Sequence, residues 1–96
     1  MLALFVFLAA CQTAPPVQEM SDARMAIAVA KEAGAEQHAA EQLKIAEEYL
    51  EKAEQRLSVK AYSQARRDAL QAKQSAMEAL ASVEEFEADS AEGADE

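Results

Sequence analysis

Residues that make turns are scarce in this sequence of 96 residues, which has two glycines, two prolines and no tryptophan. Each hairpin of a β-sheet normally needs its own turn residues, so this scarcity excludes a multi-stranded sheet. Hydrophobic residues make up 51% of the chain, and about half of them are alanine. Alanine favours helices but has little apolar surface to bury. The sequence therefore predicts an all-α fold in one small domain with a thin core.

Basic residues are also scarce, with 9 Lys and Arg against 18 Asp and Glu, for a net charge of −9. Binding to nucleic acid needs cations that neutralise phosphates, so we expect no nucleic-acid partner. The sequence has a single histidine, His38, and no Ser-His-Asp set, glycine-rich phosphate loop or metal-ligand spacing. We therefore predict that the protein is not an enzyme and binds no metal, and that His38 lies at the surface or between helices.

The longest apolar run comprises residues 1–11 and reads MLALFVFLAAC. A transmembrane helix needs about 20 apolar residues, so this run is too short to span a membrane. An apolar stretch of this length that ends in small residues is typical of a secretory signal. Residues 1–10 are therefore predicted to be a signal peptide. No Lys or Arg precedes the run, which leaves open a start codon further upstream.

The end of this run, Leu8-Ala9-Ala10-Cys11, resembles the lipobox of bacterial lipoproteins. The resemblance implies that signal peptidase recognises Leu8, Ala9 and Ala10, and that the Cys11 thiol takes up a diacylglyceryl group. A residue other than Asp after the cysteine, here Gln12, implies sorting to the outer membrane. The alternative is a buried cysteine in an apolar helix. The covalent lipid on Cys11 is the only cofactor expected, and residues 11–19 are predicted to form a flexible tether.

Apolar residues after the tether recur with the three-and-four spacing of a helix face. The three runs are Met20, Ala23, Ile27 and Ala30; Leu43, Ala46, Leu50, Ala53 and Leu57; and Tyr62, Ala65, Ala69, Ala72, Ala76, Ala79, Val83 and Phe86. A five-residue step between the second and third runs breaks the phase. We therefore predict a helical domain over residues 20–86, with a short first helix and then an antiparallel, coiled-coil-like hairpin. One long helix through residues 40–86 is the alternative.

Terminating residues support the boundaries of these helices. Ser21 and Ser63 are predicted N-caps of the first and third helices, and Gly34 is a predicted C-cap.

The acidic segment from Glu84 to Glu96 contains seven carboxylates and no base. Residues 87–96 are therefore predicted to be a disordered acidic tail.

The helical segment resembles the domain-of-unknown-function 4398 family. The residues that carry the resemblance are Ser21-Asp22-Ala23-Arg24, Ala33-Gly34-Ala35, His38-Ala39-Ala40-Glu41-Gln42-Leu43, Ala46, Leu50, Ala53 and Tyr62-Ser63-Gln64-Ala65-Arg66-Arg67. Members of this family are alanine-rich helical lipoproteins of Gram-negative bacteria, some encoded with an OmpA-like peptidoglycan-binding domain. This chain has Ala40 where such sequences often have proline, and Lys60 where they often have glycine. Residues 62–65 also resemble the corner of a tetratricopeptide repeat.

These features together predict an outer-membrane lipoprotein that faces the periplasm and has a structural or interaction role in the cell envelope. The alternative is a periplasmic binding module, similar to a chaperone, whose hairpin groove takes apolar peptides. Met25, Met77 and Leu80 would supply an adaptable apolar surface for that role. The membrane is the expected partner through the lipid. An envelope protein, non-covalent contact with peptidoglycan and self-association remain open.

Overall fold

The computed structural model describes residues 14–94, which form helices and connecting turns and contain no strand. The four helices in this range are α1 (Val17–Glu32), α2 (Ala35–His38), α3 (Ala40–Ser58) and α4 (Tyr62–Ala94). The predicted all-α fold class is therefore confirmed. Helix α3 ends and α4 begins at the predicted phase slip, so the alternative of one long helix is wrong.

The long helix α4 packs against both α1 and α3, and it is the centre of the fold. Near the start of α4, Ala69 clusters with Met20 and Ala53. Further along, Val83 belongs to a second cluster that contains Ile27 and Leu43. These pairings make α3 antiparallel to α4 and α1 parallel to it. The predicted hairpin of α3 and α4 is therefore present, and the first helix completes a three-helix bundle.

The core of the bundle is an alanine seam on α4. Its members are completely buried and follow the predicted register: Ala65, Ala69, Ala72, Ala76, Ala79 and Val83. Larger side chains from the other helices face this seam, including Met20 and Ile27 from α1 and Leu43 from α3. Small residues let helix axes approach closely, so the seam positions α1 and α3 against one face of α4.

The corner between α3 and α4 is closed by a Schellman motif. The Lys60 N–H donates to the Leu57 carbonyl at 3.0 Å, and the Ala61 N–H donates to the Arg56 carbonyl at 2.8 Å. Lys60 adopts a left-handed conformation with φ of 62°. Glycine is favoured at this position of the motif because it adopts positive φ without steric cost. The corner is therefore tight even though it contains lysine. Ser63, the predicted cap, lies inside the first turn of α4.

The boundaries of α1 agree with the prediction at one end and differ at the other. Gly34 follows the helix with φ of 101°, and its N–H donates to the Lys31 carbonyl at 3.0 Å, as predicted for a terminating glycine. The helix begins at Val17, before the predicted cap Ser21. Pro16 starts it, because its carbonyl accepts the Met20 N–H at 3.0 Å and its ring is buried. Residues 17–19 are therefore helical, although they were predicted to be flexible tether.

The end of α4 also extends beyond the predicted limit of the domain. The helix continues to Ala94, whereas residue 86 was the predicted end and a disordered tail was expected from residue 87. Residues 84–91 are exposed, so apart from Phe86, which stacks on His38, they gain little from packing against the bundle. Alanine and glutamate are good helix formers, and no glycine interrupts the segment before Gly93.

Candidate functional site

The predicted lipid-attachment residue and its recognition sequence lie outside the residues that the structure describes. These are Cys11 and the preceding Leu8, Ala9 and Ala10. The described chain begins three residues after Cys11, at Ala14. What the structure does show is how the chain enters the bundle and which surfaces the bundle exposes.

The entry of the chain is fixed by Arg66, in the second turn of α4. Its Nη2 atom donates to the Ala14 carbonyl at 3.2 Å, and its Nε atom donates to Glu19 Oε1 at the same distance. The buried Pro16 ring lies between these two contacts in the sequence. Arg66 therefore joins the first described residues to the start of α4. Arg66 belongs to the segment that resembles the family, but no local pattern in the sequence indicates this long-range contact.

An apolar groove of about 340 Å³ runs between the parallel helices α1 and α4. Its walls are Asp22, Met25, Ala26 and Val29 from α1 and Lys73, Met77 and Leu80 from α4. Met25 and Met77 are more than half exposed. The structure thus brings together Met25, Met77 and Leu80, the three residues selected from the sequence. It places them between α1 and α4, whereas the prediction assigned them to the hairpin.

The residues of this groove suit contact with an apolar side chain or helix face. Methionine is flexible and polarisable, so it adapts to ligands of different shape. The volume lies at the lower end of the range for small-molecule pockets and accommodates a few apolar side chains. Asp22 and Lys73 add one charge of each sign to the lining.

A cluster of polar side chains connects α3 and α4 next to the corner. Arg56, in the last turn of α3, places its Nε atom 2.7 Å from Asp68 Oδ2 and donates through Nη1 to Gln64 Oε1. The Asp68 side chain is only 17% exposed, and its Oδ2 atom makes no hydrogen bond of good geometry. Arg56 therefore compensates a largely buried carboxylate mainly through charge. Arg67 lines the same small cleft.

The segment around the corner between α3 and α4 is basic, which was not predicted. Residues 55–67 contain Arg56, Lys60, Arg66 and Arg67 and no acidic residue, in a chain whose net charge is −9. Lys60 and Arg67 are exposed. The signal was present in the sequence as a run of thirteen residues without a carboxylate.

His38 is exposed and stacks on Phe86 of α4, in agreement with its predicted place at the surface or between helices. Within residues 14–94, no group of three or more His, Cys, Asp or Glu side chains is placed to hold a metal ion. In the same range, no helix has the length and apolar character needed to cross a membrane.

Comparison with protein families matched residues 18–95 to the domain of unknown function DUF4398. Searches of curated proteins and of solved structures found no match. The family match covers every helix described above except the first residue of α1. Because it extends over most of the sequence, the chain belongs to the DUF4398 family.

Proposed function

We propose that this protein is a lipoprotein of the outer membrane, anchored through Cys11, with its helical bundle in the periplasm. The observation that carries the proposal is the sequence Leu8-Ala9-Ala10-Cys11 at the end of an eleven-residue apolar run. Membership of the DUF4398 family supports it, because the resemblance to that family implies an alanine-rich helical lipoprotein. Several acyl chains on one residue give stable attachment, whereas a single chain gives only marginal binding.

The proposed role of the bundle is structural, or it is an interaction with an envelope partner, rather than catalysis. Its core is made mainly of alanine, and larger side chains remain at the surface, including Met25, Met77 and Ile45. A thin core gains stability from further apolar contact, so a protein partner or a second copy would strengthen the bundle. We expect crosslinking in cells, followed by recovery of the anchored protein, to identify which of these it contacts.

The anchor is tested by growing Gram-negative cells that express the chain with a palmitate analogue. The wild-type protein should be labelled and should float with membranes in a density gradient. The variant Cys11→Ala should be unlabelled, because it lacks the thiol that forms the thioether. The neighbouring variant Gln12→Ala keeps the thiol and should be labelled as strongly as wild type. Labelling and flotation of Cys11→Ala would show that the anchor proposal is wrong.

A periplasmic binding module is a second candidate function, favoured by the groove between α1 and α4. Met25 and Met77 lie on opposite walls and are more than half exposed, so an apolar peptide could contact both. If this function is correct, the protein should be a monomer that suppresses aggregation of an unfolded client. The double variant Met25→Glu and Met77→Glu should then lose that effect.

Ile45→Glu provides the matched control for the groove, since Ile45 is also exposed but lies on α3 and outside the groove. It should leave suppression of aggregation unchanged. Self-assembly of the protein without any effect on clients would instead favour the structural role.

A further inference from the structure

One end of the bundle is formed by the start of α1 and the corner between α3 and α4, and we refer to residues 14–20 and 55–67 together as the corner end. The salt bridge between Glu19 and Arg66 and the cluster of Met20 with Leu57 show that these segments lie together. Four of the nine basic residues of the chain lie in residues 55–67. Arg56 and Arg66 form salt bridges with Asp68 and Glu19, and Lys60 and Arg67 then give the corner end an excess of positive charge in an acidic protein.

The corner end also exposes apolar side chains. Val17 is 70% exposed and Val59 is 73% exposed, and both values exceed those of Met25 and Met77 in the groove. Val17 is the first residue of α1, and Val59 follows the last residue of α3. The exposed valines and the exposed Lys60 and Arg67 therefore combine apolar and cationic side chains at one end of the bundle. This combination is typical of surfaces that lie against anionic lipid.

The path of the chain leads to the same end. Arg66 holds the Ala14 carbonyl beside the start of α4. Ala14 is three positions after Cys11, and an extended chain spans at most about 11 Å over that distance. A lipid on Cys11 would therefore bring the membrane surface close to the corner end.

The opposite end of the bundle has the opposite charge. Along α4, Glu84, Glu85, Glu87 and Asp89 are exposed, and no basic residue lies among them. Helix α4 has 33 residues, and its length is about 50 Å at 1.5 Å per residue. An anionic surface attracts the corner end and repels the acidic end, so the charges favour a bundle whose long axis points away from that surface.

We propose that the corner end docks on an anionic phospholipid surface through Val17, Val59, Lys60 and Arg67, with the acidic end of α4 directed away from the membrane. The inference depends on the proposed lipid anchor, which supplies the attachment. The docking surface in turn fixes the orientation of the anchored bundle. It also gives a role to the exposed Val17 and Val59 at that end.

The test uses lipoprotein processed in cells, purified and reconstituted into vesicles that contain lipid with a quencher on the headgroup. Cys11 is occupied by lipid, so a fluorophore attaches to one introduced thiol. Val59→Cys reports the corner end, and Glu41→Cys reports the other end of α3, about 27 Å away for a rise of 1.5 Å per residue. In vesicles of equal parts phosphatidylglycerol and phosphatidylcholine, the label at residue 59 should be strongly quenched and the label at 41 weakly quenched.

Charge variants then test the mechanism of docking. The substitutions Lys60→Glu and Arg67→Glu together should at least halve the quenching at residue 59, as should replacement of the vesicles by pure phosphatidylcholine. The control pair Lys44→Glu and Lys73→Glu changes the net charge equally but lies outside the corner end, and it should leave the quenching unchanged.

The two proposals fail in different ways. Docking would be overturned, with the anchor intact, if the two labels of an anchored protein were equally quenched. It would also be overturned if quenching at residue 59 did not depend on anionic lipid or on the charges of Lys60 and Arg67. A protein that carries no lipid and stays in the aqueous fraction would overturn the anchor and, with it, the docking that depends on it.

Discussion

The imidazole ring of His38 stacks on the phenyl ring of Phe86, with ring centroids 4.2 Å apart and an angle of 22° between the planes. His38 ends the four-residue helix α2, and Phe86 lies on α4 beyond the last buried residue of the seam, Val83. The stack is the aromatic contact that joins the connection between α1 and α3 to the distal half of α4.

We expect His38→Ala and Phe86→Ala each to lower the free energy of unfolding by about 1 kcal/mol, because each removes one partner of an aromatic pair. The double variant should lose less than the sum of the two. A coupling of about 0.5–1.5 kcal/mol is expected from urea unfolding followed by circular dichroism. Additive losses would show that the stack does not contribute to stability.

Lys60 has a left-handed backbone, so Lys60→Gly should stabilise the protein by about 0.5–1 kcal/mol. The gain arises because glycine adopts positive φ without the steric cost of a Cβ atom. The measurement is the midpoint of thermal or urea unfolding. Lys52→Gly is the matched control, since Lys52 lies inside α3 and glycine there should destabilise the helix by about 1 kcal/mol. A loss of stability in both variants would contradict the Schellman motif at the corner.

The alanine seam leaves little room for a larger side chain at Ala76, which is completely buried in the main core cluster. We expect Ala76→Leu to destabilise the bundle by about 1–3 kcal/mol, because overpacking forces the helices apart. Ala81→Leu should have little effect, since Ala81 is on the exposed face of the same helix. Equal urea midpoints for the two variants would show that the close approach of the helices does not depend on the seam.

Arg56 compensates the charge of Asp68 across the corner, and Arg56→Met should therefore destabilise the protein by about 1–3 kcal/mol. The loss comes from a carboxylate that stays mostly buried without its cation. Adding Asp68→Asn should recover part of that stability, because the amide carries no charge. Measured by urea unfolding, a double variant that is less stable than Arg56→Met would contradict this account.

Much of the fold was predictable because it depends on local periodicity. The register from Ala65 to Val83 appears in the sequence as three-and-four spacing, and all the seam residues in it are buried. The break near residue 60 followed from the phase slip, and the end of α1 from Gly34. Predictions of N-caps were less successful, because Ser21 and Ser63 lie inside helices whose starts are set by Pro16 and by the Schellman corner.

The two departures from the family pattern also have a structural explanation. Ala40 is the first residue of α3, where proline is favoured because the N–H of that position has no partner within the helix. Lys60 occupies the left-handed position of the corner, where glycine is favoured. Alanine suits the first position because it is a good helix former, and the two hydrogen bonds of the corner hold Lys60 in the left-handed conformation.

The sequence by itself determined the helical class, the buried face of each helix and the positions of the breaks, because these depend on spacing and on residues near one another in the chain. Only the tertiary structure decided that α1 lies parallel to α4, that Met25 and Met77 form one groove, and that Arg66 holds Ala14 beside the basic corner. Periodicity marks which face of a helix is buried but not which helix covers it. Contacts between residues about fifty positions apart therefore emerge only when the three helices pack together.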